Sequence, residues 1–217
     1  MVGNMKRLLH IIATPREEES RTLQVSKVFI EVFRTKHPDW MIDELNLSRE
    51  TLPDLGMKNV SGKYVLLQGK DISGRLKEAW GEIVQHIDRF KTADLILISS
   101  PMWNFSIPYM LKHYIDLIIQ PRYLFRYRKD GSVEGLAKGK KMVVILSSGG
   151  EYSSPEMKMM DFQEPYLRSI FGLIGIDAIT FIKAEGMDVG EIEKRKKKIQ
   201  EAQTAAQQLA ERIYTPR

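Results

Sequence analysis

Residues 101–106, PMWNFS, set a tryptophan, an amide and a phenylalanine on a short turn. The turn joins the aliphatic run DLILISS (94–100) to a helix-like segment, IPYMLKHYIDLII (107–119). Trp103 and Phe105 offer faces and edges to a flat ring, and Asn104 offers both a donor and an acceptor. Two other stretches have unusual composition. TPREEESRT (14–22) supplies the hydroxyls of Thr14, Ser20 and Thr22 where a helix begins, with Ser20 or Arg21 opening that helix. Free amides and the positive end of a helix dipole favour a phosphate there, and Arg16 or Arg21 would add formal charge. Serine and threonine also cap helices with no ligand present, and Glu17, Glu18 and Glu19 repel a dianion unless they face water. SSGGEYSS (147–154) is small and flexible, and Gly149 and Gly150 allow close backbone approach to a flat ligand or a positive φ. A phosphate cradle, a stacking surface and a supply of amides together describe a site for a flat, phosphorylated molecule. The competing reading is that Trp103 and Phe105 plug the end of a core.

Other chemistries find little support. The chain has no cysteine, which removes disulfides, thiolate metal sites and cysteine nucleophiles at once. Its four histidines, His10, His37, His86 and His113, are scattered, with no HExxH-like cluster and no evident serine partner. There is no GxSxG, and GLAKGKK (135–141) lacks the spacing and terminal Ser/Thr of a P-loop. The formal charge of +5 is concentrated in EKRKKKIQ (193–200), amid Ile192, Ile199, Ala202, Ala206, Leu209 and Ile213 at helical spacing. The lysines therefore read as the wet face of a C-terminal helix and not as a nucleic-acid patch. No apolar run approaches the ~20 residues that span a bilayer, and Leu8 to Ala13 is followed by Pro15 and three glutamates in place of a cleavage site. A cytoplasmic protein without membrane insertion is expected.

The elements that must hold these loops alternate in kind. Strands are expected at 6–14, 40–47, 94–100, 140–148 and 177–185, the first buried on both faces because its apolar residues are nearly continuous. Helices are expected at 20–37, 74–90, 107–119 with Pro108 in the first turn, 160–175 and 189–213. Residues 123–135 read as a hairpin turning at Asp130-Gly131. Residues 48–73 carry Pro, Gly and Asn signals with little pattern, as an interface segment or pocket lid would. With 217 residues, 43% of them hydrophobic, residues 1–217 suit one domain. The alternation predicts an α/β fold with a parallel sheet and helices on both faces, and five strands in one domain fit the order 2-1-3-4-5. In such a sheet the three loops meet beyond the carboxyl ends of the strands, at the switch point.

Placed together there, the loops have what a flavin requires. PMWNFSIPYMLKHYID resembles the PMYNF loop and following helix of the FMN-dependent NADH-azoreductases, which are NAD(P)H:quinone oxidoreductase-like proteins on the flavodoxin-like fold. FRYRKDGSVEGLAKGKK, a strand and SSGG are similar to that family's hairpin and SRGG loop, and PYLRSIFGLIGIDAITFIKAEG to its late helix and fifth strand. The resemblance runs from about Lys6 to the C-terminal helix. It implies phosphate contacts at Thr14, Ser20, Arg21 and Thr22. It implies that Pro101, Met102, Trp103, Asn104 and Phe105 lie along the isoalloxazine, with Ser147, Ser148, Gly149 and Gly150 at its other side. The departures are Trp103 for tyrosine, Ser148 for the arginine of the glycine loop, Thr22 for serine, and the acidic run.

The resemblance also implies a homodimer with sites completed across the interface, and Tyr123, Phe125 and Phe162 as either pocket walls or ordinary core. It implies no catalytic side chain: flavin N5 accepts hydride from NADH or NADPH and a quinone or azo compound then receives two electrons, in a ping-pong cycle. Amides of the two loops would stabilise negative charge on the pyrimidine edge. Two alternatives stand beside this: an FMN-binding electron carrier, and a flavin-free interaction module on the same fold.

Overall fold

The computed structural model describes residues 5–214. In chain order the elements are β1 (Arg7–Ile12), a 3-10 turn (Glu17–Glu19), α1 (Arg21–Lys36), β2 (Met41–Asn46), α2 (Met57–Leu67), α3 (Arg75–Lys91) and β3 (Leu95–Pro101). Then follow α4 (Tyr109–Ile118), β4 (Phe125–Tyr127), β5 (Val133–Gly135), β6 (Lys141–Ser147), α5 (Pro155–Lys158), α6 (Glu164–Leu173), β7 (Ala178–Ala184) and α7 (Ile192–Arg212). The main sheet is parallel, ordered β2-β1-β3-β6-β7, which is the expected 2-1-3-4-5 once the β4-β5 hairpin is set aside.

Two layers of core lie on either side of the sheet because successive residues of a strand face opposite ways. Leu9, Ile11, Ile96, Ile98, Met142 and Val144 pack with Trp80, Ile87, Leu111 and Phe171 of α3, α4 and α6. Leu8, Leu95, Leu97, Val143 and Ile145 pack with Phe29 and Phe33 of α1 and with Ala202, Ala206 and Ala210 of α7. The small alanines let α7 lie close, with its lysines turned to water. Ile192 does not join the expected stripe: it is exposed at the helix start. His10 also faces the α1 side, fully buried, its Nε2 hydrogen-bonded to Ser99 Oγ at 2.8 Å.

Three expectations need correction. The patternless stretch 48–73 contains α2. That helix escapes a hydrophobic-periodicity reading because its buried residues are Asn59, Gly62 and Leu66, while Met57, Val60, Tyr64 and Leu67 are exposed. Its inner face is small and polar because Trp80 presses there, donating Nε1–H to the Asn59 carbonyl at 3.2 Å. Pro108 lies just before α4, in extended backbone (ψ 146°), and not inside it. The segment 160–175 is helical only from Glu164, and a short helix, α5, precedes it.

Candidate functional site

Backbone hydrogen bonds stitch the strand ends into one edge. Ala13 N–H donates to Ser99 O (2.9 Å), Met102 N–H to Ser147 O (2.7 Å) and Ser148 N–H to Ala184 O (3.1 Å). The loops after β1, β3, β6 and β7 therefore share a rim, and the expected site residues of the first three fall along it.

On the first loop, Ser20 caps α1, its Oγ accepting from Leu23 N–H at 3.3 Å and sitting 2.8 Å from Thr22 Oγ1. Thr14, Ser20 and Thr22 are buried. The first-turn amides of Arg21 and Thr22 have no intrahelical acceptor by geometry. The acidic run faces water. Glu17, Glu18 and Glu19 are exposed and paired with Arg49, Lys27 and Arg16. Arg16 is thereby engaged, whereas Arg21 is exposed and has no ion pair among the described residues.

The second loop is a tight turn. Trp103 and Ser106 exchange backbone hydrogen bonds (2.9 and 3.0 Å), and the two residues between them, Asn104 (φ 47°) and Phe105 (φ 67°), are both left-handed. This is the φ pattern of a type I′ turn, which Asn-Gly usually supplies. Asparagine tolerates it, but phenylalanine there costs on the order of 1–3 kcal/mol. The strain lifts both rings out of the core: Trp103 and Phe105 are 36% and 42% exposed. Neither plugs the end of the core. Trp103 lies 6.2 Å, centroid to centroid, from the exposed Tyr109.

The third loop is held from behind. Ser148 Oγ donates to Gly150 O at 2.8 Å, and Met187, Asp188 and Gly186 donate backbone N–H groups to Ser148, Gly149 and Gly150. Neither glycine has a positive φ. A Cβ on Gly149 would sit 2.5 Å from the carboxylate of the exposed Asp188, which would have to move aside.

Three residues outside the expected set organise the rim. Gln163 is buried, and its Nε2 donates to Pro101 O (2.8 Å) and Ser100 Oγ (3.3 Å), fixing the end of β3. Asp161 Oδ1 accepts the N–H groups of Gln163 (2.9 Å) and Glu164 (3.1 Å) at the start of α6. Lys183 Nζ reaches Asp161 (3.3 Å), Glu164 (2.7 Å) and Glu185 (3.4 Å). Burial alone pulls Lys183 down, but Glu164, Asp161 and Glu185 hold it above the ordinary lysine value. Burial likewise lifts Glu164, yet Lys183 and Arg168 bring it below the usual carboxylate range. The one signal in the sequence was Pro165, whose place in the first turn of a helix marks Gln163 and Glu164 as rim residues.

The three aromatic residues expected at a pocket wall separate. Phe162 is half exposed and donates its N–H to Phe105 O at 2.9 Å, so it stands beside the aromatic turn. Phe125 is buried in the core. Tyr123 lines a different cleft, of about 450 Å³, with Trp80 and Arg122.

Residues 6–210 match the model of a family described by the flavodoxin-like fold. An FMN-dependent NADH:quinone oxidoreductase of Desulfotalea psychrophila (strain LSv54 / DSM 12343) is 35% identical over 211 residues, covering 97% of this chain and 99% of its own. A protein of the same name from Coprothermobacter proteolyticus is 36% identical over 212 residues, covering 96% of this chain and 100% of its own. The crystal structure of an FMN-dependent NADH-azoreductase from Bacillus anthracis str. Ames Ancestor in complex with FMN gives a TM-score of 0.86 at 26% identity, covering 97% and 100% of the two chains. On near-complete coverage by sequence and by structure, the chain belongs to the flavodoxin-like family of FMN-dependent NADH:quinone oxidoreductases and azoreductases.

Proposed function

We propose that this chain binds FMN at the sheet rim and is an oxidoreductase that moves two electrons from NADH or NADPH to quinones or azo compounds. The observation that carries this reading is the strained turn at Asn104-Phe105, which holds two rings in the open between a helix start and a glycine loop. A turn serving only to close a core would bury those rings and would not retain a left-handed phenylalanine.

The residues fit the cofactor. Thr14, Ser20, Thr22 and the first-turn amides of α1 would hold the phosphate, with Arg21, which has no ion pair among the described residues, adding a cation. Pro101, Met102, Trp103, Asn104 and Phe105 would line the ring system, and Ser147, Ser148, Gly149 and Gly150 would face its polar edge. When bound, FMN supplies reversible two-electron chemistry that no side chain here could supply. The chain's part is to orient, to exclude water and to present fixed dipoles to developing charge. Phe162 and Trp103 would bracket a flat acceptor.

Nicotinamide and acceptor would use this one surface in turn, giving ping-pong kinetics; intersecting double-reciprocal lines would sink that order. NADH is the donor named for the relatives.

We read residues 1–217 as one domain working as a homodimer. Met57, Val60, Tyr64 and Leu67 form an exposed apolar stripe on α2, which is surface that a second copy would cover. Tyr123, at its separate cleft, would meet a pocket only from the second copy, whereas Phe125 stays in the core. No helix among the described residues is long and apolar enough to cross a membrane, and a cytoplasmic setting suits a cysteine-free chain that uses NADH.

The test is spectroscopic. Purified protein supplied with FMN should show flavin absorbance that NADH or NADPH bleaches anaerobically and menadione restores. A bound flavin that neither nucleotide reduces means a carrier, and no retained flavin means an interaction module.

A further inference from the structure

Lys183 stands at the end of β7, in rigid sheet, and faces carboxylates from two separate segments of the rim. Each carboxylate has a second commitment. Asp161 Oδ1 holds the amides on either side of the Gln163–Glu164 bond, Glu164 Oε1 accepts Arg168 Nη2 at 2.6 Å, and Glu185 Oε2 accepts Tyr152 N–H at 2.9 Å. Following those bonds outward, Asp161 leads to Phe162 and Gln163, and so to Phe105 O and Pro101 O of the aromatic turn. Glu185 leads to Tyr152, which closes the glycine loop. The same lysine lines a small cavity with Met102, Ser147, Ser148 and Gln163, residues of both loops and of the α6 start.

We infer that Lys183 is a positioning residue: one cation, anchored on β7, holds the aromatic turn and the glycine loop in register with each other. An ordinary surface ion pair contributes little. Here the Asp161 side chain is only 10% exposed, so solvent replaces the lost charge only in part, more at Glu164 and Glu185 than at Asp161. Without Lys183 three carboxylates face one another with Arg168 as the remaining cation in contact. Repulsion among them would then loosen the contact between the two segments at the rim, although each stays anchored to the core through Leu167 and through Ala184 and Met187. A flat ligand between the loops would feel that loss as weaker binding, while the chemistry of a ligand already bound would change little.

This inference rests on the flavin reading of the rim, and the experiment separates the two. The full-length K183M and K183R variants are compared with wild type, with E185Q as a second probe. Three readouts are used: amide exchange without flavin, FMN affinity of stripped protein by titration, and KM and kcat with menadione. K183M should speed exchange at Tyr152 and at Gln163–Glu164 together. It should weaken FMN binding and raise the menadione KM, each by roughly tenfold, with kcat within about twofold. K183R should restore all of these, and E185Q should speed exchange at Tyr152 alone while weakening FMN. Unchanged exchange in K183M, or faster exchange with unmoved FMN affinity and KM, overturns the inference. If K183M does not fold, E185Q decides: faster Tyr152 exchange without weaker FMN binding overturns it. A wild type that takes up no FMN defeats the flavin reading instead, and the exchange data still decide whether Lys183 couples the two segments.

Discussion

At the scale of single residues, conformation is bent toward the rim at a cost elsewhere. Phe105 occupies backbone space that glycine fills more easily, so F105G should leave the folding free energy unchanged or raise it by up to about 1 kcal/mol. The same change removes a half-exposed ring from the proposed acceptor surface, so the menadione KM should rise severalfold. Urea denaturation together with kinetics checks the pair, and a destabilised F105G would show that the ring packs and the turn is relaxed. The type of turn was not legible in the sequence, because Asn-Phe is a poor I′ signal, although the residues that matter were. His10 poses a second residue-scale question. It is fully buried, its Nδ1 has no partner, and burial pushes its pKa from 6.5 down to about 3. The unfolded chain therefore binds a proton near pH 6.5 that the folded chain refuses until about pH 3. Stability from this group falls as pH drops through that window, and it is fully present only above it. Between pH 6.5 and 5 the loss should be on the order of 2 kcal/mol. H10L should flatten that slope; an equal slope in H10L would assign it to other groups.

At the scale of elements, the strands and the long helices were legible because burial and period agree in them. The run LILISS is apolar and central, and α3 carries Trp80, Ile83, Ile87 and Phe90 at helical spacing. α2 was illegible for a physical reason: its polarity is inverted. Asn59, Gly62 and Leu66 lie inward at helical spacing, while Met57, Val60, Tyr64 and Leu67 lie on the opposite side. Gly62 in mid-helix also lowers its intrinsic propensity by about 1 kcal/mol. Tertiary packing explains why the helix forms nonetheless. A Cβ at residue 62 would lie 2.0 Å from Trp80 Nε1, so only glycine lets α2 dock on α3. G62A should therefore destabilise the protein by roughly 1–3 kcal/mol despite its better helix propensity. The thermal midpoint measures it, and a stabilised G62A would mean that α2 is not docked as described. The rim network around Lys183 was equally hidden, since only the fold brings Asp161 and Glu164, at the start of α6, to Lys183 and Glu185 at the end of β7.

At the scale of the whole molecule, alternation made the doubly wound parallel sheet legible and five strands fitted its observed order, and such a sheet leaves few places for a ligand. The second copy does not follow from alternation, and here α2 gives the argument. A monomer gains nothing by exposing Met57, Val60, Tyr64 and Leu67 within an arc of about 80° on one helix. A stable dimer buries on the order of 1,600 Å² in total and draws on such apolar patches for its centre. The proposed dimer predicts a sedimenting species of twice the chain mass at micromolar concentration. Placing a carboxylate in the stripe, as in Y64E, should cost little in the monomer because Tyr64 is 61% exposed. Y64E should thus keep the far-ultraviolet circular dichroism of the parent and sediment as a monomer. If Tyr123 serves a pocket only across the interface, the kcat/KM of Y64E with menadione should fall by at least about tenfold, while FMN affinity, set in the proposed site by loops of one chain, moves far less. A wild type that sediments as a monomer removes the dimer. A monomeric Y64E with full activity keeps the dimer and returns the whole site to the single chain.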